Sequence, residues 1–142
     1  MVMWHTEHTL ETSADPGDVW RRLAEVATWP DWDAGLSWAE LAGPFSSGSR
    51  GRLRMRGEGT RAFRLSGVEA FTSFTALVHL PLAEIRHSHV QEASAMGTRM
   101  TQRIEIAGPL SWLYGLTRGR SLRAALAPSM RSLARIASEP KS

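Results

Sequence analysis

A chain of 142 residues, 42% apolar and 22% charged, matches the size and composition of one soluble domain, and residues 1–142 are read as one. It has no cysteine, which excludes disulfides, thiol catalysis and cysteine-based zinc sites, and no window approaches the roughly 20 apolar residues of a membrane span. The net charge of +3 hides a polarity: residues 1–49 hold eight acids and two arginines, net −6, whereas residues 50–142 hold six acids and fifteen basic residues, net +9.

Trp4, Thr6, His8 and Leu10 alternate with His5, Glu7, Thr9 and Glu11, a period of two that predicts a half-buried strand with its even residues inward. His5, Glu7 and His8 stand where a signal peptide would be apolar, so the expected location is the cytoplasm. Asp15 is placed to cap a helix with Pro16 at its first position, and Val19, Trp20, Leu23 and Val26 form its apolar stripe. This helix is expected to stop before Trp29-Pro30, and Pro30-Asp31-Trp32-Asp33 reads as a second short helical turn closed by Gly35.

From Leu36 to Ile106, turn residues at Gly43-Pro44, Gly57 to Gly59, Gly67, Leu80-Pro81 and Met96-Gly97 divide short strands into an antiparallel meander. In 50–56 arginine takes every even position, and Gly51, Leu53 and Met55 take the odd, inward ones. The same alternation turns Phe63 and Leu65 inward, then Ile85, His87 and His89, then Met100, Gln102, Ile104 and Ile106. The run from Phe71 to Leu80 is too uniformly apolar to orient. After Gly108-Pro109, Leu122, Leu126, Met130, Leu133 and Ile136 recur at helical spacing, with Arg118, Arg120, Arg123, Arg131 and Arg135 mostly on the other, solvent side. Pro128 interrupts that helix and is expected to kink it or remove a hydrogen bond near Ala124. The sum is an α+β layout: one strand, two short helices, about six further antiparallel strands and a long final helix, giving a curved sheet of about seven strands wrapped around that helix.

Val19-Trp20 followed by Trp29-Pro30-Asp31-Trp32-Asp33 resembles the START-like (SRPBCC) superfamily, in particular its polyketide cyclase/dehydrase branch. Gly48 to Leu53, Gly97 to Thr101, Gly108-Pro109-Leu110 and Gly119 to Leu122 are similar to later landmarks of that branch, in the same order. The resemblance spans Trp4 to Ala137. It implies the helix-grip fold and a deep cavity between sheet and C-terminal helix for an apolar or amphipathic small molecule. No cofactor is implied.

His87 and His89 stand two apart on a strand, so both imidazoles point the same way with Cβ atoms about 7 Å apart. They are the candidate catalytic pair, as hydrogen-bonding or acid–base groups over a ligand; the alternative is that neighbours or water satisfy both. A metal pair completed by His79, Glu84 or Glu92 is weaker, because Glu84 falls at an odd offset and the resemblance implies no metal. Gln102 is a polar residue on an apolar face that needs a partner, either a ligand or His89 across the sheet. Trp29, Trp32, Trp38 and Trp112 lie in segments expected to border the cavity. Trp20, Trp29 and Trp32 are read as packing the short helices onto the sheet, leaving Trp38, Trp112 and Tyr114 as cavity candidates. The expected lining is Trp38, Leu53, Met55, Phe63, Met100, Gln102, Ile104, Trp112, Tyr114, Leu122, Leu126 and Met130.

Gly43 to Gly48 lacks the Lys and Ser/Thr of a phosphate loop, and no Gly-x-Ser-x-Gly elbow exists. The arginine ladder Arg50, Arg52, Arg54, Arg56 reads as a solvated face without interleaved aromatic residues for base stacking. Three functions follow: binding of a hydrophobic or aromatic small molecule, with cyclase/dehydratase-like chemistry if it is an enzyme; a non-catalytic carrier for a lipid or quinone; and a basic module for RNA or an acidic protein, the least expected. Monomer and dimer are both open.

Overall fold

The computed structural model describes residues 2–139. Seven strands form one antiparallel sheet: β1 (Val2–Thr12), β2 (Leu36–Ala42), β3 (Arg50–Met55), β4 (Thr60–Glu69), β5 (Ser73–Leu80), β6 (Ala83–Ala93) and β7 (Thr98–Ala107). Their spatial order is β1-β7-β6-β5-β4-β3-β2, so five consecutive hairpins make a meander from β2 to β7, and β1 returns to pair with β7. Helix α1 (Pro16–Ala24), a 3-10 helix (Val26–Asp31) and the long helix α2 (Ser111–Ala137) complete the chain. None of the helices is long and apolar enough to cross a membrane.

Helix α1 starts where its cap predicts: the Asp15 carboxylate accepts from the Asp18 amide at 3.1 Å, with Pro16 at the first position. It stops before Trp29-Pro30 as expected, at Ala24, but the second helical turn starts four residues ahead of Pro30, at Val26, and so takes in Trp29 as well. Trp29 holds that turn by donating its indole N–H to the Leu23 carbonyl at 2.8 Å.

The core lies between one face of the sheet and the helices, and strand alternation fills it. Leu53, Phe63, Leu65, Ile85, Met100, Ile104 and Ile106 are all buried. The segment that sequence left unoriented takes the same phase: Phe74, Ala76, Val78 and Leu80 are buried on the inner face, while Phe71 sits outside the strand in a turn at φ 64°. Gly51 permits one close packing, because a Cβ there would lie 2.7 Å from the Phe63 ring and 2.3 Å from the Glu40 carbonyl. Helix α2 runs through Pro128 to Ala137 and buries Leu126, Met130 and Leu133.

Candidate functional site

A cavity of about 670 Å³ separates part of the sheet from α2. Successive inward residues supply its sheet wall: Leu53 and Met55 from β3, Phe74, Ala76 and Val78 from β5, Ile85 and His87 from β6, Gln102 and Ile104 from β7. On α2 the lining recurs every three to four residues through Arg118, Leu122, Leu126 and Ser129, one stripe of the helix. Trp29 and Trp32 close one side, and Trp29 is held against Phe63 and Phe74 with ring centroids 5.6 and 6.2 Å away. The exposed lining residues Gly35, Arg56, Thr117 and Ser121 mark the mouth. There Arg118 of α2 forms an ion pair with Glu58 from the β3–β4 turn, and both residues are half-buried.

The polar part of the site is a chain of side chains on β6 and β7. His87 faces Ile104 and His89 faces Gln102 across the strand pair. Gln102 bridges the two histidines: its Oε1 is 2.7 Å from His87 Nε2, and its Nε2 is 3.1 Å from His89 Nδ1. His89 Nε2 lies 2.9 Å from Gln91 Oε1, and Gln91 Nε2 donates to the Pro16 carbonyl at 2.8 Å. His89 is fully buried and stacked on Phe74 at 5.8 Å. Burial pushes its pKa down to about 4; the Gln91 hydrogen bond opposes that, and nearby His87 adds to it. With both ring nitrogens engaged by glutamines, His89 has no free nitrogen for a ligand, whereas His87 is half-buried and lines the cavity.

Of the residues expected to line the cavity, Leu53, Met55, Gln102, Ile104, Leu122 and Leu126 do so, together with His87. Trp38, Trp112 and Tyr114 do not, nor do Phe63, Met100 and Met130. Trp38 is turned outward by a register shift between Leu36 and Trp38 that reverses the alternation of β2, leaving Leu36 and Ala39 buried. It therefore stands opposite Arg54 on the outer face, which corrects the expectation that this face carries no aromatic residue. Trp112 points into solvent from the first turn of α2, 53% exposed. Tyr114 shares the helix face of Arg118 but lies one turn beyond the cavity, where its hydroxyl donates to the Pro81 carbonyl at 3.2 Å. Phe63, Met100 and Met130 are sealed in the core, none more than 1% exposed.

Trp29 and Trp32, in segments expected to border the cavity and read as packing residues, do both: they pack the short helices and line the cavity. The structure also adds residues that sequence reasoning passed over. Arg56 and Arg118, assigned to solvent faces, stand at the mouth with Glu58 and Asp33. Gln91 was legible, since the period of two through His87 and His89 continues to it. Glu84 and Glu92 face away from the histidines and pair with Arg86 at 2.7 Å and Arg99 at 3.1 Å. Among the described residues, no group of three His, Cys, Asp or Glu side chains is arranged to hold a metal ion.

Residues 3–138 match the protein family described as polyketide cyclase/dehydrase and lipid transport. No curated protein matches the chain. Among solved structures, one from Mesorhizobium loti superimposes with a TM-score of 0.75 at 13% identity, covering 98% of this chain and 100% of that one. Norcoclaurine synthase from Thalictrum flavum, solved with dopamine and hydroxybenzaldehyde, gives 0.71 at 15% identity over 98% and 88% of the two chains. The di-domain aromatase/cyclase (ARO/CYC) StfQ of the steffimycin biosynthetic pathway gives 0.71 at 14% identity, with 94% of this chain covering 50% of that one. At these identities the likeness is one of fold.

Proposed function

The chain belongs to the polyketide cyclase/dehydrase and lipid transport family of the START-like superfamily, with its helix-grip fold, and on that premise we propose that it binds a hydrophobic or aromatic small molecule in the cavity between sheet and α2 and acts on it as a cyclase or dehydratase. The observation that carries this reading is an apolar cavity of about 670 Å³ with a single imidazole, His87, in its wall. That volume lies within the range of small-molecule sites, which are mostly apolar with a few placed polar groups.

The chemistry follows from what the walls can do. Confining a chain with several carbonyls brings its reacting carbons together, which replaces much of the entropy cost of ring closure. His87 is the group suited to removing a proton α to a carbonyl and returning it to a departing hydroxyl. A lipid or quinone carrier would use the same cavity without the proton step, and the exposed mouth residues favour that second reading by leaving a route for exchange.

N-phenylnaphthylamine, an apolar fluorophore, tests the binding step. Ala125→Leu, which fills the cavity from α2, should weaken its binding about tenfold or more, a loss of roughly 1.4 kcal/mol; unchanged binding places the ligand elsewhere and ends the reading. His87→Ala separates the two functions: an enzyme loses turnover and keeps ligand, while a carrier keeps ligand and has no turnover to lose.

A further inference from the structure

Four hydrogen bonds run in series from the start of α1 to the cavity wall, and their polarity is set at one end. The Pro16 carbonyl can only accept, and it faces Gln91 Nε2 at 2.8 Å. That orients the Gln91 amide, so its Oε1 is the atom 2.9 Å from His89 Nε2. An amide oxygen only accepts, which puts the proton of His89 on Nε2. Burial keeps His89 neutral near pH 7, its pKa pushed down to about 4, so its Nδ1 is a lone pair. Gln102 answers that lone pair with Nε2 at 3.1 Å, and this turns Gln102 Oε1 toward His87 Nε2 at 2.7 Å. By the same rule the proton of His87 is on Nε2.

We propose that Gln91, His89 and Gln102 form a tautomer lock that presents His87 Nδ1 to the cavity as a hydrogen-bond acceptor and proton base, and that the site takes an apolar ring system bearing a hydroxyl, a phenol or an enol. This rests on the cavity being the ligand site. His87 Nδ1 has no protein hydrogen bond among the described residues and is not sealed from solvent. A hydroxyl arriving there donates to a lone pair; an ether or ketone oxygen brings a second lone pair and gains nothing. When the enol or phenol gives up its proton, its O–H bond breaks, the electron pair stays on oxygen and an N–H bond forms at Nδ1. The other N–H of the imidazolium stays on Gln102 Oε1, so the transfer needs no rearrangement of the chain behind it and no further reactant. Gln91, His89 and Gln102 touch no ligand through this device except Gln102, which also lines the cavity; they are positioning residues.

Naphthol and methoxynaphthalene, which differ in the hydroxyl hydrogen, are the probes. At about pH 8 the chain should bind naphthol about tenfold more tightly than methoxynaphthalene, the scale of one good hydrogen bond. Nitrogen NMR of histidine-labelled chain should show His87 protonated at Nε2 and bare at Nδ1. Gln91→Met removes the anchor at similar volume; it should let His87 sample both tautomers and reduce the naphthol preference to about threefold or less, with methoxynaphthalene affinity unchanged. Equal affinity for the two probes, or a wild-type His87 protonated at Nδ1, overturns the lock and leaves the cavity reading standing. Failure of both probes to bind overturns the cavity reading and the lock with it. The wild-type spectrum needs no variant, so a poorly folding Gln91→Met still leaves the tautomer decided.

Discussion

Arg118 of α2 and Glu58 of the β3–β4 turn, 60 residues apart in sequence, are joined by an ion pair at the mouth of the cavity. The Arg118 guanidinium also lies over the Tyr114 ring, 5.4 Å from its centroid, so the cation is held from two sides. The pair ties the β3–β4 hairpin to α2 beside the cavity that His87 lines.

Breaking this pair should change ligand exchange more than stability. Both side chains keep some solvent contact, and ion pairs of that kind are worth about 1 kcal/mol or less. Glu58→Gln and Arg118→Gln are each expected to raise the association and dissociation rates of naphthol about threefold or more, with the double variant adding little, since either change removes the same contact. Stopped-flow fluorescence reads both rates. Unchanged rates in both single variants would show that ligands enter elsewhere.

His89 makes folding stability depend on acid. Its pKa is about 4 in the folded chain because burial disfavours the charged form, against about 6.5 when unfolded. Between those values the unfolded chain binds more protons, so stability rises with pH there. The contribution is complete above about pH 6.5 and is lost as pH falls toward 4, about 3 kcal/mol in all at 1.36 kcal/mol per unit. Urea unfolding in pH steps should show this slope, and NMR should show His89 still neutral at pH 5. A His89 midpoint near 6.5 would remove the basis of the effect.

What sequence patterns reveal here is what repeats locally. Leu53 and Met55, or Gln102 and Ile104, were legible as lining because a strand alternates at two residues, and Leu122 and Leu126 because a helix returns every 3.6. Trp38 was misplaced because one irregularity between Leu36 and Trp38 inverts that alternation, and no local signal marks it. Arg118 reads as a solvent residue because its partner, Glu58, lies in the distant β3–β4 turn. The wall of the cavity is thus periodic and readable, while its mouth is tertiary. Gln102 lies between: its need for a partner was evident from its apolar neighbours, but the order of donors through His89 and Gln91 depends on the Pro16 carbonyl, which only the fold brings near.

Gly119 sets how closely α2 approaches β1. The Trp4 indole lies over it, and a Cβ at Gly119 would be 2.5 Å from Trp4 Nε1 and 2.8 Å from Cε2. Arg123 covers the same ring at 5.2 Å and donates to the His5 carbonyl at 3.2 Å, so the indole is enclosed. Gly119→Ala gains up to about 1 kcal/mol of helix propensity but forces the ring or helix to shift, at about 1 to 3 kcal/mol for overpacking. The expected result is a net loss of about 1 kcal/mol and a lower melting temperature by calorimetry. A higher melting temperature would mean that Trp4 yields without cost.

The outer face offers the opposite case, a contact that substitution should improve. Arg50 of β3 and Arg64 of β4 face each other directly across the strand pair, both exposed, and like charges so placed are destabilising. Two residues along, Arg52 is relieved by Glu40 of β2 at 2.8 Å, a partner that Arg50 lacks because Ala42 stands in the matching position. Arg64→Glu replaces repulsion with a cross-strand pair and should stabilise the fold by about 0.5 kcal/mol at low ionic strength. At about 1 M salt, where the screening length falls to roughly 3 Å, most of that gain should vanish. Chemical denaturation in urea at the two salt concentrations measures the difference, and a gain that survives high salt would have to come from packing of the new side chain rather than from its charge.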